Sequence, residues 1–449
     1  MSNSKIIMYP CRITILYLLG TLFLFFLGPI KWIIPSPVIF ILVNTIYILS
    51  FYLGYKLQAS KKKYDLTYTS CNLREYDDLK FNANTVFPLL IISCSFMIVR
   101  DLINYIHYFR GEGIMDLIFQ AFSQTLGESY FSRLGSSLTG TWYIFLLNLF
   151  NVLGVFWFPL GVIFFKKLPV SMRILLIITF TVDMSYSLLG GAMIGIGIYI
   201  FRLMPIFIFF RIRSKARSDV QNHKKKRIDR IVVCLAIVFL LFFSYAQESR
   251  YKTMGYDGVT YETGNLRMFI SEEEDWPVGG TLIKSVQFYI THGYVGMAYA
   301  MKIPAKWTYG IGFSRDLDRT LSQYTGYSVA NDIYPARLDH VTRWTNGLYW
   351  PTAYTWFASD WTFWGIPILM YLFGIFFAKV WKAVLYEKTV IPYVLFGWLW
   401  IGIFFIPCNN QLFQSFEMFM GTVSLMILFQ FRKSLPRMVL KTSKGKSKI

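Results

Sequence analysis

Several apolar blocks in this chain exceed the ~18 residues that mark a membrane-spanning helix, and no other feature limits its folding as much. Length alone, 449 residues, would suggest about three soluble domains. Composition overrules that, because only 16% of the residues are charged where soluble domains carry about a quarter. Of the whole chain, 55% is apolar and 19% aromatic. A cytosolic or secreted globular enzyme is excluded, and so is a nucleic-acid binder despite the net charge of +20.

That charge is clustered. Lys and Arg crowd Lys56 to Lys63, Arg211 to Arg230, and Arg432 to the end. Basic loops mark the cytoplasmic side of a membrane, since Lys and Arg hinder translocation of short loops. Ten spans fit between such anchors: 13–30, 37–55, 86–106, 141–165, 170–188, 190–210, 231–246, 360–380, 390–407 and 413–431. With the N-terminus inside, Lys166-Lys167 and the loop from Lys379 to Lys388 also fall in the cytoplasm. The expected architecture is therefore an all-α integral membrane protein of about ten transmembrane helices. It divides into a seven-span bundle over 1–246, a large external loop over 247–359, three spans over 360–431 and a basic tail over 432–449.

Region 107–140 carries Ile114, Leu117, Ile118 and Phe122 at helical spacing, and a helix along the membrane surface is expected there. The N-terminal apolar stretch lacks a small-residue cleavage site and reads as a retained first helix. Five scattered cysteines (Cys11, Cys71, Cys94, Cys234 and Cys408) show neither metal-ligand nor disulfide spacing. No HExxH, Walker A or GxSxG motif is present, which favours chemistry without metal or cofactor.

The loop 247–359 has nearly balanced charge and dense Trp, Tyr, Phe and Gly, so it is expected to be folded and functional. Flat aromatics beside Arg, Asp, Asn and Thr suit sugars, whose apolar faces stack while fixed polar groups read the hydroxyls. Arginine forks suit phosphate oxygens. A substrate with glycan and phosphate parts is the expectation. Each residue also has a plainer use. Arg250 could hold pyrophosphate or snorkel at a membrane boundary. His292, between Thr291 and Gly293 with Gly296 following, could contact substrate or be a structural histidine. Asp360 could be catalytic or could favour the dipole of the span it heads. His340 and Arg343 could be loop structure, and Trp350 to Trp361 could be a sugar platform or an interfacial belt. Arg100-Asp101 in the third span is costly to bury, which makes an internal pair facing a cavity a functional candidate.

Three stretches carry a family likeness: Tyr289-Ile-Thr-His292-Gly293-Tyr294-Val-Gly296, Trp307-Thr-Tyr-Gly-Ile-Gly312, and Trp350-Pro-Thr-Ala-Tyr354-Thr-Trp356-Phe-Ala-Ser359-Asp360 followed by Gly365. In these, and in its overall plan of spans with one large loop, the chain resembles the Wzy-type O-antigen polymerases, relatives of the O-antigen ligases. The resemblance implies a GT-C-like fold in the bacterial inner membrane, with both termini cytoplasmic and the active site facing the periplasm. It implies a metal-independent glycosyltransferase that joins undecaprenyl-pyrophosphate-linked oligosaccharide donor and acceptor, with a chain-length regulator as a further partner.

Carried onto this sequence, Arg250 holds the pyrophosphate with help from Arg267, Arg315 or Arg343. His292 or Asp360 activates the acceptor hydroxyl, and His340, Tyr289, Trp350 and Tyr354 contact substrate. Relatives often carry an Arg in a glycine-rich hairpin near the sixth span; here Gly190-Gly191-Ala192-Met193-Ile194-Gly195 lacks it. The rivals are an O-antigen ligase, a lipid-linked oligosaccharide flippase or other transporter, and a non-catalytic scaffold. A transporter would place charge within its spans, which here read as mostly clean.

Overall fold

The computed structural model describes residues 3–61, 83–108, 142–189, 194–208, 240–249, 252–253, 264–274, 280–344, 349–387 and 389–434, with 125 and 128 as isolated positions. In chain order the helices are α1 (Asn3–Ile7), α2 (Tyr9–Leu27), α3 (Pro37–Ser60), α4 (Ala83–Tyr108), α5 (Trp142–Leu149), α6 (Trp157–Phe164), α7 (Val170–Leu189) and α8 (Ile194–Arg202). Then follow α9 (Gly280–Ala300), α10 (Arg315–Thr325), α11 (Tyr334–Thr342), α12 (Ala353–Glu387), α13 (Val390–Phe405) and α14 (Phe416–Phe431). Among the described residues, four helices are long and apolar enough to cross a membrane: α2, α3, α12, and α4 over Val86–Tyr105.

The helical class is as expected; the count of ten full spans is not met among the described residues. The stretch 141–165 is broken into α5, a 3-10 turn at Asn151–Val155 and α6. At 16 residues each, α13 and α14 are short for a bilayer about 30 Å thick. The expected surface helix at 107–140 and most of the span 231–246 lie outside the described residues.

One pairing has no counterpart in the all-α expectation. Strand β1 (Ile30–Trp32), between α2 and α3, pairs antiparallel with β2 (Ile270–Glu273), with Ile30 opposite Glu273 and Lys31 opposite Glu272. Lys31 also reaches Glu274 at 3.0 Å. This ribbon ties the long segment to the α2–α3 turn. Gln287 on α9 extends the tie, accepting from Ile30 N–H and donating to Ile30 C=O at 2.8 Å each.

The main helix pair is α3 with α12. Both cross apolar surroundings, so small residues that admit close backbone approach are what holds such helices together. A Cβ added to Gly54 would strike the Tyr371 carbonyl, and one added to Gly374 would strike the Phe51 carbonyl. Phe51, Phe373 and Phe377 pack their rings alongside, with centroids 5.8–6.1 Å apart. Gly54→Val is therefore expected to destabilise by about 1–3 kcal/mol through overpacking. Gly20→Ala, whose added Cβ meets nothing within 4 Å, should melt like the parent in the same detergent.

Packing separates two ends of this bundle. At one end, Lys382 donates to the Lys61 and Gln58 carbonyls, Trp381 Nε1 donates to the Ile6 carbonyl, and Arg432 forks onto Glu387. At the other end, Thr352 N–H donates to the Gly293 carbonyl and Ala353 N–H to the Ile406 carbonyl, which seats α9–α11 on the start of α12.

Candidate functional site

The site is built where α12 begins. Thr352 Oγ1 accepts from the Thr355 N–H, capping the helix seven residues before Asp360. Ala353–Glu387 is two helical stretches joined across a kink at Thr362, so Asp360 closes the first stretch and stands just before the second. Just beyond it the backbone leaves helical geometry at Thr362, with φ 57° and ψ 164°. The side chain of Asp360 faces the turn 307–313. Its Oδ1 accepts from Thr308 Oγ1 at 2.5 Å and from Gly310 N–H at 2.8 Å, while Oδ2 accepts from Phe313 N–H at 2.9 Å. Both carboxylate oxygens are thus engaged. Within the turn, Tyr309 takes φ 57°, a left-handed conformation costing a non-glycine residue about 1–2 kcal/mol. Asp360 pins that strained turn.

What the turn presents is aromatic and open. Trp307 is 64% exposed and Tyr309 59%. Their ring centroids lie 4.8 Å apart, and Tyr327 continues the strip 6.2 Å from Tyr309. Arg315, the first residue of α10, places its guanidinium 5.5 Å from the Trp350 ring centroid. Trp350 packs in turn toward buried Trp356 at 6.2 Å. A carboxyl that sequence reading passed over stands next to Arg315. Burial pushes Asp316 above the usual carboxylate range, and Arg315, Arg319 and a hydrogen bond from the Phe416 backbone pull it back. The signal was present in Arg315-Asp316-Leu317-Asp318-Arg319, an acid between two bases on one helical turn.

His292 belongs to a different environment. It is 6% exposed, with its Nδ1 2.9 Å from the Phe288 carbonyl, which makes Nδ1 the protonated nitrogen. Its ring stacks with Phe288 at 5.2 Å and Trp344 at 6.4 Å. The close approach that Gly293 and Gly296 suggest is made by the chain itself. A Cβ on Gly293 would meet the Pro407 carbonyl and the Thr352 nitrogen; one on Gly296 would meet Pro351 and Trp344. Burial lowers the His292 pKa from 6.5 to about 4, so the folded protein holds it neutral and weakly basic at neutral pH.

A pH dependence follows from that shift. The unfolded chain takes up a proton below pH 6.5 that the folded chain refuses until about pH 4. Stability should therefore be full above pH 6.5 and fall by roughly 3 kcal/mol as pH drops to about 4. Melting curves of the wild type and His292→Asn across this window check it. The His292→Asn curve should be flatter, and parallel curves would refute the assignment.

The remaining sequence-predicted residues scatter. Tyr289 packs its ring 4.9 Å from Phe243. Tyr354 is buried 4.8 Å from Tyr47. Arg267, His340 and Arg343 are exposed, Arg343 closing α11 at φ 60°. Arg250 and the hairpin 190–193 lie outside the described residues.

Beside the turn, a groove of about 380 Å³ opens between the start of α3, the end of α9 and the bend of α12. Ile39, Val43, Ile46, Phe363 and Pro367 make its apolar wall, and Lys302 donates to Ser36 at 2.9 Å at the polar end. Trp364, on its edge, is 86% exposed.

The expectation of clean spans is also corrected, because charged groups meet between helices. Arg100 on α4 donates to Asp101 at 2.8 Å, to Asp183 on α7 at 3.3 Å, to Asn151 at 3.2 Å and to Glu417 on α14. Tyr199 on α8 donates to Asp183. Only Arg100-Asp101 stood out in the sequence. Asp183 and Glu417 each sit singly in apolar surroundings, and only packing assembles them. No group of His, Cys, Asp and Glu among the described residues is arranged to hold a metal ion. No family model, curated protein or solved structure matches this chain.

Proposed function

We propose that the chain is a glycosyltransferase of the bacterial inner membrane that polymerises undecaprenyl-pyrophosphate-linked oligosaccharide repeat units on the periplasmic face. The observation that carries this reading is the exposed strip of Trp307, Tyr309 and Tyr327, held on a strained turn by a carboxylate and flanked by Arg315 over Trp350. Aromatic faces of that kind suit pyranose stacking. The groove beside it runs down an apolar helix face, which suits the polyprenyl chain of the carrier. Arg315 supplies a guanidinium group for the departing pyrophosphate, whose growing charge preorganised donors stabilise.

Acceptor activation requires a base with a pKa near the working pH. His292 is buried and weakly basic, and the oxygens of Asp360 are occupied, so both are better suited to positioning. Asp316, whose pKa burial raises and which lies next to Arg315 on α10, is the carboxylate proposed to take this role. The ten-span, GT-C-like plan remains part of the proposal, with the six expected spans outside the four long helices running through α5–α6, α7, α8, the partly described 231–246, α13 and α14.

The paired variant Trp307→Ala/Tyr309→Ala tests this. It should reach the membrane at wild-type level while shortening surface glycan chains, because each stacking ring contributes on the order of 1 kcal/mol. Unchanged chain length in that variant would refute the platform. A second reading, transport of the lipid-linked unit, is favoured by one observation: the ionised cluster around Arg100.

A further inference from the structure

The buried cluster does not balance its charge. Asp101 and Arg100 come from α4, Asp183 from α7, Tyr199 and Arg202 from α8, Glu417 from α14, and neutral Asn151 from the 3-10 turn. Tyr105 stands on the same face of α4, its ring 5.5 Å from Tyr186. Arg100 spends its donors on four partners: Asp101, Asp183, Asn151 and Glu417. Arg202 lies instead over the rings of Tyr199 and Trp398, at 5.5 and 4.9 Å, and its Nε has no partner. Among the described residues three carboxylates thus face two guanidinium groups, an excess of one negative charge. A second observation points the same way. Asp101 is 0% exposed, and its Oδ2 is buried without any hydrogen-bond partner. An uncompensated charge in such a place is expensive, and the group neutralises rather than bear it.

We propose that Arg100, Asp101, Asp183 and Glu417 form a proton-binding site that holds one exchangeable proton shared by the three carboxylates. A shared proton belongs to the set and not to one residue, as in other coupled acids. Glu417, with 37% of its side chain exposed, is the entry point, and Asp101 is the sealed end. The neighbour of Glu417, Phe416, donates its backbone N–H to Asp316, so the proton site adjoins the exposed arginine and aromatic layer. The inference rests on the charge count and on the unpartnered Asp101 oxygen, and it stands whether the chain polymerises glycan or transports it.

Infrared spectroscopy of the full chain in lipid nanodiscs at neutral pH tests it. The wild type should show a protonated-carboxyl C=O stretch that shifts in deuterium oxide. Asp101→Asn, Asp183→Asn and Glu417→Gln should each abolish that same band, because each removes the excess charge and with it the need for a proton. A wild-type spectrum without the band would overturn the proposal, and so would a band that survives all three substitutions. The wild-type arm keeps the test decisive if a variant fails to fold.

Discussion

Arg100→Ala is expected to remove most of the folded protein from the membrane, the largest loss among the single substitutions considered. The guanidinium is the common donor to Asp101, Asp183 and Glu417, and it ties α4 to α7 and α14. Breaking a buried ion pair from one side costs about 3–5 kcal/mol, since the partner charges stay behind. That is comparable with the whole stability of a marginal domain, about 5–15 kcal/mol. Arg100→Lys should rescue little, because one ammonium cannot reproduce a planar fork onto partners on both sides. Monodisperse protein after detergent extraction, read by size exclusion and melting temperature, measures the effect. Wild-type melting of Arg100→Ala would mean that the cluster contributes nothing to folding.

Asp360→Ala is expected to release the turn 307–313 and abolish long-chain glycan synthesis while leaving the membrane bundle intact. Three donors, Thr308 Oγ1, Gly310 N–H and Phe313 N–H, lose a charged acceptor at once. Hydrogen bonds to charged groups contribute about 1.5–3 kcal/mol each, and partial exposure of Asp360 holds the local total to on the order of 3 kcal/mol. Limited proteolysis should then cut between Trp307 and Ser314 in the variant but not in the parent. Asp360→Asn separates two roles. It keeps one acceptor oxygen, so a positioning residue should give an intermediate chain length, whereas a base would be lost as fully as with alanine.

Much of the helical plan was legible because apolar runs of that length have one use. The starts of α3 and α14 fall within a few residues of expectation, and Lys61 and Arg432 lie at one end of the bundle. Three features were hidden. The β1–β2 ribbon joins Ile30 to Glu273 across a separation that no local periodicity encodes. A helical stretch capped by Thr352 and starting at Ala353 precedes the expected span and joins it across the kink at Thr362, whereas the sequence placed 350–359 in the external loop. The ion cluster was invisible because Asp183 and Glu417 look like isolated polar residues until α4, α7 and α14 pack together. At the candidate site, sequence reading found the aromatic turn and Asp360. It read Asp360 as catalytic or as favouring a helix dipole, and did not see its role in the turn, because hydrogen bonds to backbone N–H groups some fifty residues away leave no mark in composition.

The most direct measurement is a gel of cell-surface lipopolysaccharide from a strain deleted for this gene. Polymerisation of repeat units requires the ladder to vanish while core carrying a single repeat remains. Unsubstituted core would contradict it and favour transport of the lipid-linked unit, and long chains accumulating on the lipid carrier would instead identify a ligase.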